Sequence, residues 1–571
     1  MKKKIKRRNH DDSIILGDLP LFLQRIYTAR GIRSIEELDT KLEKLEPYHL
    51  LKNIDQAVTC LLHALVHKES ILVIGDFDAD GATSTALAVS CLEMMGANVN
   101  FLVPNRFEFG YGLTPEIVEV AAKLNPKLLL TVDNGISSHE GVLTAISKQM
   151  TVVITDHHLP GETLPQAQAI VNPNQPGDAF PSKNLAGVGV IFYVMMALRA
   201  KLRTLNWFES RGLTEPNMAS FLDLVALGTI ADVVALDNIN RILVQQGLLR
   251  IKAGKTRPGL RALLEVAGRK MERIKAADLG FAVGPRLNAA GRLQDMRLGI
   301  ECLLSSDDQE AKQYAHSLDS LNKERQQIEE GMREQAIAIL DQLDLEDLPV
   351  GLCLFNETWH QGVIGILASR IKELTHRPVI IFALSNEGEL KGSGRSIQGI
   401  HLKHTLEKIA AKYPGLILKF GGHALAAGLS LARENLDRFS EVFNEIVLDL
   451  LPPDVLEKTI QTDGELTPSV ITIETAETLH KAGPWGQGFP EPVFDGQFRV
   501  MDYRVLKDKH IKFVLSSLND YFLVDAIAFN VDPKQITIKH EDTLHIAYRL
   551  DVNEYRGNRN IQLLVDHFEV I

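Results

Sequence analysis

ILVIGDF (71–77), running directly into DADGATS (78–84), decides the fold of this 571-residue chain. Four apolar residues followed by Gly and Asp read as a buried strand that breaks into a turn. Thr83 to Met95 then reads as a helix. The same alternation recurs downstream. NVNFLVP (98–104), LLLTVD (128–133) and VVITDHH (152–158) are three more strands, with helical stretches between them. Strands alternating with helices imply a parallel sheet covered on both faces. Ligands of such sheets collect where the strands end.

The rest of the chain is placed around that unit. Residues 1–50 are polar and read as an N-terminal helical segment. Residues 51–304 make the first α/β domain, helical from about 185 onward. Within 305–345, Ser305 to Leu343 lacks Pro and is rich in Glu, Gln, Lys and Ala. That suits one long connecting helix, or two helices broken near Gly331. A second α/β domain spans 346–452, with strands LPVGLCLF (348–355) and PVIIFAL (378–384) around the helix VIGILASRIKEL (363–374). Residues 453–571 switch to short strands of alternating polarity, such as HIKFVLSS (510–517), the pattern of an OB-type β-barrel.

Composition narrows the class. An apolar share of 45% and a charged share of 24% are those of a folded globular protein. No apolar run approaches the roughly 20 residues that span a bilayer, so the chain is expected to be cytoplasmic, with no membrane partner. The basic start, MKKKIKRR, has no apolar segment behind it. It reads as a solvated tail, or one that touches nucleic acid, and not as a signal peptide. Cys60, Cys91, Cys302 and Cys353 form no CxxC pair, which excludes a zinc ribbon and a disulfide framework. The net charge of −11 argues against a body coated in nucleic acid but leaves room for a narrow basic track.

The acidic residues are concentrated. Asp76, Asp78 and Asp80 alternate just after the first strand. One Asp there would cap the following helix. Three carboxylates this close repel, a cost that a divalent cation offsets. The D-x-D-x-D-G pattern is not an EF-hand, because position 87 is Leu where that loop needs Glu. Asp133 ends another strand, and Asp156, His157 and His158 end the next. Adjacent parallel strands bring these ends together. Asp232 adds a carboxylate inside the apolar run LGTIADVVAL (227–236), where it is costly unless paired or metal-bound. A donor set of oxygens with one or two imidazoles suits manganese or magnesium better than zinc. The carboxylates suffice for two ions, which can activate water at a phosphodiester.

The motifs DFDADG, VDNG, TDHH and GTIAD resemble those of the DHH phosphoesterases, and GSGRS (392–396) with FGGHALAAG (420–428) resembles the associated DHHA1 domain. With NRFEFGYGL (105–113), GPRLNAAGRL (284–293) and the OB-like end, the set is similar to the RecJ family of single-strand-specific 5′→3′ exonucleases. The resemblance runs from about residue 50 to the end. It implies two Mn²⁺ or Mg²⁺ ions held by Asp78, Asp80, Asp133, His157 and Asp232. His158 would contact the scissile phosphate or orient a ligand, with Asp156 and His423 completing the catalytic set. Many relatives carry a ligating His where this chain has Ile74, and Asp76 is expected to substitute for it.

The strand itself needs cations and stacking surfaces. NRFEFGYGL interleaves Arg106 with aromatics, which suits a single strand or a core-filling loop. Arg286, Asn288 and Arg292 sit among glycines that let backbone approach closely, and are expected to bind substrate. GSGRS reads as a Gly-rich loop, either a phosphate nest or a simple turn. The resemblance implies that Arg106, Ser393 and Arg395 anchor the 5′ phosphate while Tyr111 stacks near the end. Lys507, Lys509, His510, Lys512, Arg549, Arg556 and Arg559 would give the barrel a strand-binding face. Trp485 would stack on a base or pack between domains. The implied substrate is single-stranded DNA with a 5′ phosphate. The implied partners are a single-strand-binding protein and a RecQ-type helicase in recombination and repair, with the enzyme a monomer. Two other functions use the same residues: a DHH/DHHA1 phosphodiesterase of short oligoribonucleotides or cyclic dinucleotides, and a non-catalytic single-strand-binding scaffold.

Overall fold

The computed structural model describes residues 3–105, 109, 112–342, 348–385, 388–452, 455–507, 509–518, 522–531, 538–555 and 557–571. Arg106, Tyr111 and Arg556 therefore lie outside the described residues. The chain forms two compact units, one of Arg7–Ser320 with Gln461–Ile571 and one built on Leu321–Ile460.

The first unit contains the expected parallel sheet. Its strands are β1 (Ser70–Ile74), β2 (Asn98–Leu102), β3 (Leu128–Val132), β4 (Thr151–Thr155) and β5 (Ala169–Val171), in the order β2-β1-β3-β4-β5. Helix α1 (Ala79–Met94) follows β1 and begins four residues before Thr83, because the Asp78 side chain accepts hydrogen bonds from Asp80 N and Gly81 N and caps it there. Leu72, Ile74, Leu129, Val152 and Ile154 bury one face of the sheet against Ile117, Val118 and Val142. The order reverses between β1 and β3, and the crevice at such a switch point is where these folds bind ligands. Three helices matter for that crevice: α2 (Gly187–Thr204), α3 (Leu222–Ala231) and α4 (Gly284–Leu293).

Helix α5 (Asp308–Asp341) is continuous through Gly331, as a single long helix. Its first third belongs to the first unit and the remainder to the second. There Met332, Ala336 and Leu340 pack on Trp359, Val363 and Leu367. The second unit's sheet has strands β6 (Leu352–Phe355), β7 (Val379–Leu384), β8 (Leu390–Arg395), β9 (Lys419–Gly422) and β10 (Ala426–Leu431), in the order β9-β10-β8-β7-β6. Helix α6 (Ile364–Thr375) connects β6 to the parallel β7. GSGRS is consequently not a loop. It lies in β8, the middle strand, and its glycines are there for packing: a Cβ on Gly392 would sit 2.6 Å from Leu429 and Phe382, and one on Gly394 2.6 Å from Leu402.

The C-terminal strands close into a five-stranded barrel. Its strand Leu523–Phe529 runs parallel to Asn558–Val570, and the other pairs are antiparallel. Lys512 pairs with Asp525, Arg549 with Asp566 and Glu491, and Arg559 with Glu477. Those expected strand contacts thus face carboxylates, while Lys507 and Lys509 are exposed. Trp485 stacks against Phe489 and Tyr27, which makes it a packing aromatic. The first 50 residues also differ from expectation. Lys4–Arg7 is a strand, Leu21–Thr28 is the one α-helix among them, and three short 3-10 turns follow. The basic start is not solvated throughout, since Arg7 holds Asp495 at 2.8 Å and Arg8 donates to Gln461. No helix among the described residues is long and apolar enough to cross a membrane.

Candidate active site

The ends of β1, β3 and β4 bring the acidic motifs into one buried cluster. Asp76, Asp80 and Asp133 are 1–3% exposed. Asp78 turns one oxygen to the first backbone amides of α1, 3.0 Å from each of Asp80 N and Gly81 N. Asp80 is gripped by the start of α2, whose Gly187 N and Val188 N donate to its two oxygens at 2.7 and 3.0 Å. A helix N-terminus stabilises a carboxylate in this way. Asp133 follows β3 in the left-handed region (φ +63°), which Asp tolerates better than most residues. Asp232 stands at the C-cap of α3.

His157 Nε2 is the point where these side chains meet. It lies 3.2 Å from Asp133 Oδ1, 3.5 Å from Asp232 Oδ2 and 4.0 Å from Asp80 Oδ2. Asp76, Asp78 and Asp133 form a second set with ligand atoms within 4.8 Å of one another. Asp133 belongs to both sets, as a carboxylate shared between two ions would. Five carboxylates and His157, with His158 beside them, form an oxygen-dominated donor set that fits manganese or magnesium.

The electrostatics agree. Burial and neighbouring carboxylates push Asp133 and Asp232 well above the ordinary carboxylate range and Asp80 up to about 7. A site that strains to stay protonated without metal is one that a cation relaxes. Asp156 plays a different part. It accepts from His157 N (2.7 Å), His158 N (3.1 Å) and Ile136 N (2.9 Å), and its Oδ1 meets His158 Nδ1 at 2.7 Å. Burial opposes charge on both partners, yet this bond holds Asp156 below its usual range and lifts His158 to about 9. Ile74 is fully buried in the core behind β1 and offers no ligand. Asp76, two residues on, is within the second set.

Small residues make the cluster possible. A Cβ on Gly187 would lie 2.6 Å from Asp133, and one on Gly228 2.7 Å from Asp80 Oδ1. Neither Gly187 nor Val188 stood out in the sequence, although the Gly-Val-Gly at the start of an apolar helix was a signal.

Known proteins can now be set beside this geometry. Family models match in chain order: the N-terminal domain of the DHH family over 70–229, the DHHA1 domain over 349–449 and the RecJ OB domain over 462–567. The single-stranded-DNA-specific exonuclease RecJ of Dickeya dadantii is 54% identical over 567 residues, covering 99% of this chain and 98% of that protein. The one from Escherichia coli is 51% identical, with 99% of each chain covered. The chain belongs to the RecJ family. The crystal structure of RecJ from Thermus thermophilus in complex with Mn²⁺ superposes with a TM-score of 0.79 at 31% identity, covering 96% of this chain and 76% of that one. The Mg²⁺ complex gives 0.74 at 30%, covering 96% and 74%. RecJ proteins thus carry, in solved structures, the two metals that this donor set suits.

The remaining candidates fall in two places. Arg286, Asn288 and Arg292 all lie on α4 in the first unit. Arg286 Nε and Nη2 hold Asp319 at 2.9 and 2.8 Å, and Asn288 Oδ1 accepts from Ala79 N at 2.8 Å. Ser393, Arg395 and His423 belong to the second unit. Ser393 and Arg395 alternate with the packing glycines of β8 and face the start of α6. A Cβ on Gly365 there would lie 3.0 Å from Ser393 Oγ and 3.1 Å from Arg395 Nη2. Arg395 Nη1 donates to Gly394 O and approaches Ser393 Oγ at 3.3 Å. Among the described residues no carboxylate pairs with it, and burial lowers its pKa. A half-buried guanidinium beside a helix N-terminus is suited to an anion. The start of α6 was legible in the sequence as a helix, but not as a neighbour of Ser393 and Arg395. His423 stands exposed in the turn between β9 and β10, its amide bonded to Ala426 O.

Proposed function

We infer that this member of the RecJ family is a single-stranded-DNA-specific 5′→3′ exonuclease that hydrolyses phosphodiester bonds with two Mn²⁺ or Mg²⁺ ions. The observation that carries this reading is the convergence of Asp80, Asp133 and Asp232 on His157, with Asp76 and Asp78 completing a second ligand set. Asp78, Asp80, Asp133, His157 and Asp232 hold the metals, and Asp76 supplies the donor that Ile74 does not. Ions held there would lower the pKa of water and neutralise charge on the phosphodiester.

The chain's own groups do the rest. Asp156 fixes His158 in one orientation and favours its protonated form, so its Nε2 can donate to a phosphate oxygen. Half-buried Arg395 with Ser393 binds the terminal 5′ phosphate, joined by Arg106, and Tyr111 stacks on the end of the strand. His423 donates to the scissile phosphate. Anchoring one end makes the enzyme an exonuclease. Arg286 and Asn288 shape α4, and Arg292 is its strand contact. A single-strand-binding protein and a RecQ-type helicase deliver the strand, and the enzyme acts as a monomer in repair and recombination.

A length series tests this reading. Long 5′-phosphorylated DNA should be shortened stepwise only with Mn²⁺ or Mg²⁺. Activity confined to dinucleotides, cyclic dinucleotides or short RNA would move the chain to the oligonucleotide phosphodiesterases. Strand binding with no hydrolysis would make it a scaffold.

A further inference from the structure

The start of α1 is where two of the metal-binding aspartates are set, so its backbone must be held rigidly. A helix leaves its first N–H groups without partners inside the helix. Here the first three after the cap are accounted for. Asp78 Oδ1 accepts from Asp80 N and Gly81 N. Ala79 N has no such local acceptor and donates instead to Asn288 Oδ1, 209 residues away, at 2.8 Å. Asn288 lies on α4, and Gly291, one turn later on the same face, brings that helix against the turn. A Cβ on Gly291 would lie 1.9 Å from Phe77 O. Helix α4 is therefore pressed on the carbonyl of Phe77 and bonded to the amide of Ala79, the residues on either side of Asp78. Its opposite anchor is the pair of Arg286 with Asp319 on α5.

We propose that Asn288 is a positioning residue for the metal-binding turn, which accepts from Ala79 N to fix Asp78 and Asp80, and that it does not bind the DNA strand. This rests on the reading of that cluster as a metal centre. Bonds of this kind behind a ligand are worth roughly 10- to 100-fold in metal affinity. The role needs only an acceptor oxygen, whereas a contact to DNA phosphate would need the amide as donor.

That difference gives the test. Mn²⁺ titrations would be followed by the rise in melting temperature of wild type, Asn288→Ala and Asn288→Asp, with binding of a 5′-phosphorylated oligonucleotide measured in EDTA. Asn288→Ala should shift the Mn²⁺ midpoint upward by about tenfold or more and leave strand affinity in EDTA unchanged. Asn288→Asp keeps an oxygen in place and should bring the midpoint back to the wild-type value or below it. If Asn288→Asp weakens strand binding as much as Asn288→Ala does, or if the Mn²⁺ midpoint is the same in all three proteins, the proposal is wrong. A wild-type protein whose melting temperature ignores Mn²⁺ would overturn the metal-centre reading instead. Far-ultraviolet dichroism of each metal-free variant separates these outcomes from misfolding.

Discussion

The two units carry opposite electrostatic problems. The cluster around His157 holds several carboxylates, and burial together with their mutual repulsion pushes Asp80, Asp133 and Asp232 toward protonation. The start of α6 half-buries Arg395, which desolvation drives the other way and which no carboxylate among the described residues offsets. Each is costly alone, because charge removed from water needs a partner. The first is relieved by cations, the second by an anion. On the proposed reading the first unit carries the chemistry and the second recognises the end, and each proposal can be broken separately.

The largest effect should come from the acidic side. Asp80→Ala should lower kcat by about a thousandfold or more, roughly 4 kcal/mol of transition-state stabilisation, while strand binding survives. Quench-flow rates with filter binding on the same preparation would check this; a large loss of binding would mean that Asp80 serves the strand. Arg395→Ala should act on the end and not on the chemistry. It should raise KM for 5′-phosphorylated strands by about 10- to 100-fold, the worth of a charge-assisted hydrogen bond, and leave 5′-hydroxyl strands nearly unaffected. Equal losses on both ends would erase the proposed division. Asp76→Asn should raise the Mn²⁺ requirement by about tenfold, as a ligand lost from one of two ion sites. An unchanged requirement would remove Asp76 from the ligand set.

The smallest effect is on stability. Asp80, Asp133 and Asp232 have folded-state pKa values above those of the unfolded chain. Their contribution is fully present below the ordinary carboxylate range near pH 4 and is lost as pH rises through the folded values, about 7 for Asp80. The metal-free protein should therefore melt a few degrees lower at pH 8 than at pH 5.5, and Mn²⁺ should raise the melting temperature more at pH 8. Calorimetry in EDTA and in Mn²⁺ would test the sign.

The legible part of the sequence was the part carried by local pattern. Alternating strands and helices gave the parallel sheet, and strand-end Asp76–Asp80, Asp133 and Asp156–His158 marked the site, because strand ends share one edge. What escaped was set by packing at a distance. GSGRS looked like a loop because glycines usually mark turns, yet Gly392 and Gly394 are there to admit Phe382, Leu429 and Leu402. What Gly187 and Gly228 are for shows only once the carboxylates beside them are placed. Arg286 and Asn288 read as strand-binding residues, and what the sequence could not show is that they also hold Asp319 and the amide of Ala79. The N-terminal basic run found its acceptors, Asp495 and Gln461, more than 450 residues away.

The central claim is that the carboxylate cluster of the first unit cuts while Arg395 of the second holds a 5′ end. Digestion of a uniformly labelled single strand with Mn²⁺ or Mg²⁺ tests it most directly, using strands blocked at the 5′ end, at the 3′ end or at neither. Free 5′ ends should be degraded whether or not the 3′ end is blocked, and a 5′ block or EDTA should stop degradation. Cleavage that persists with the 5′ end blocked, or that continues in EDTA, would contradict the account.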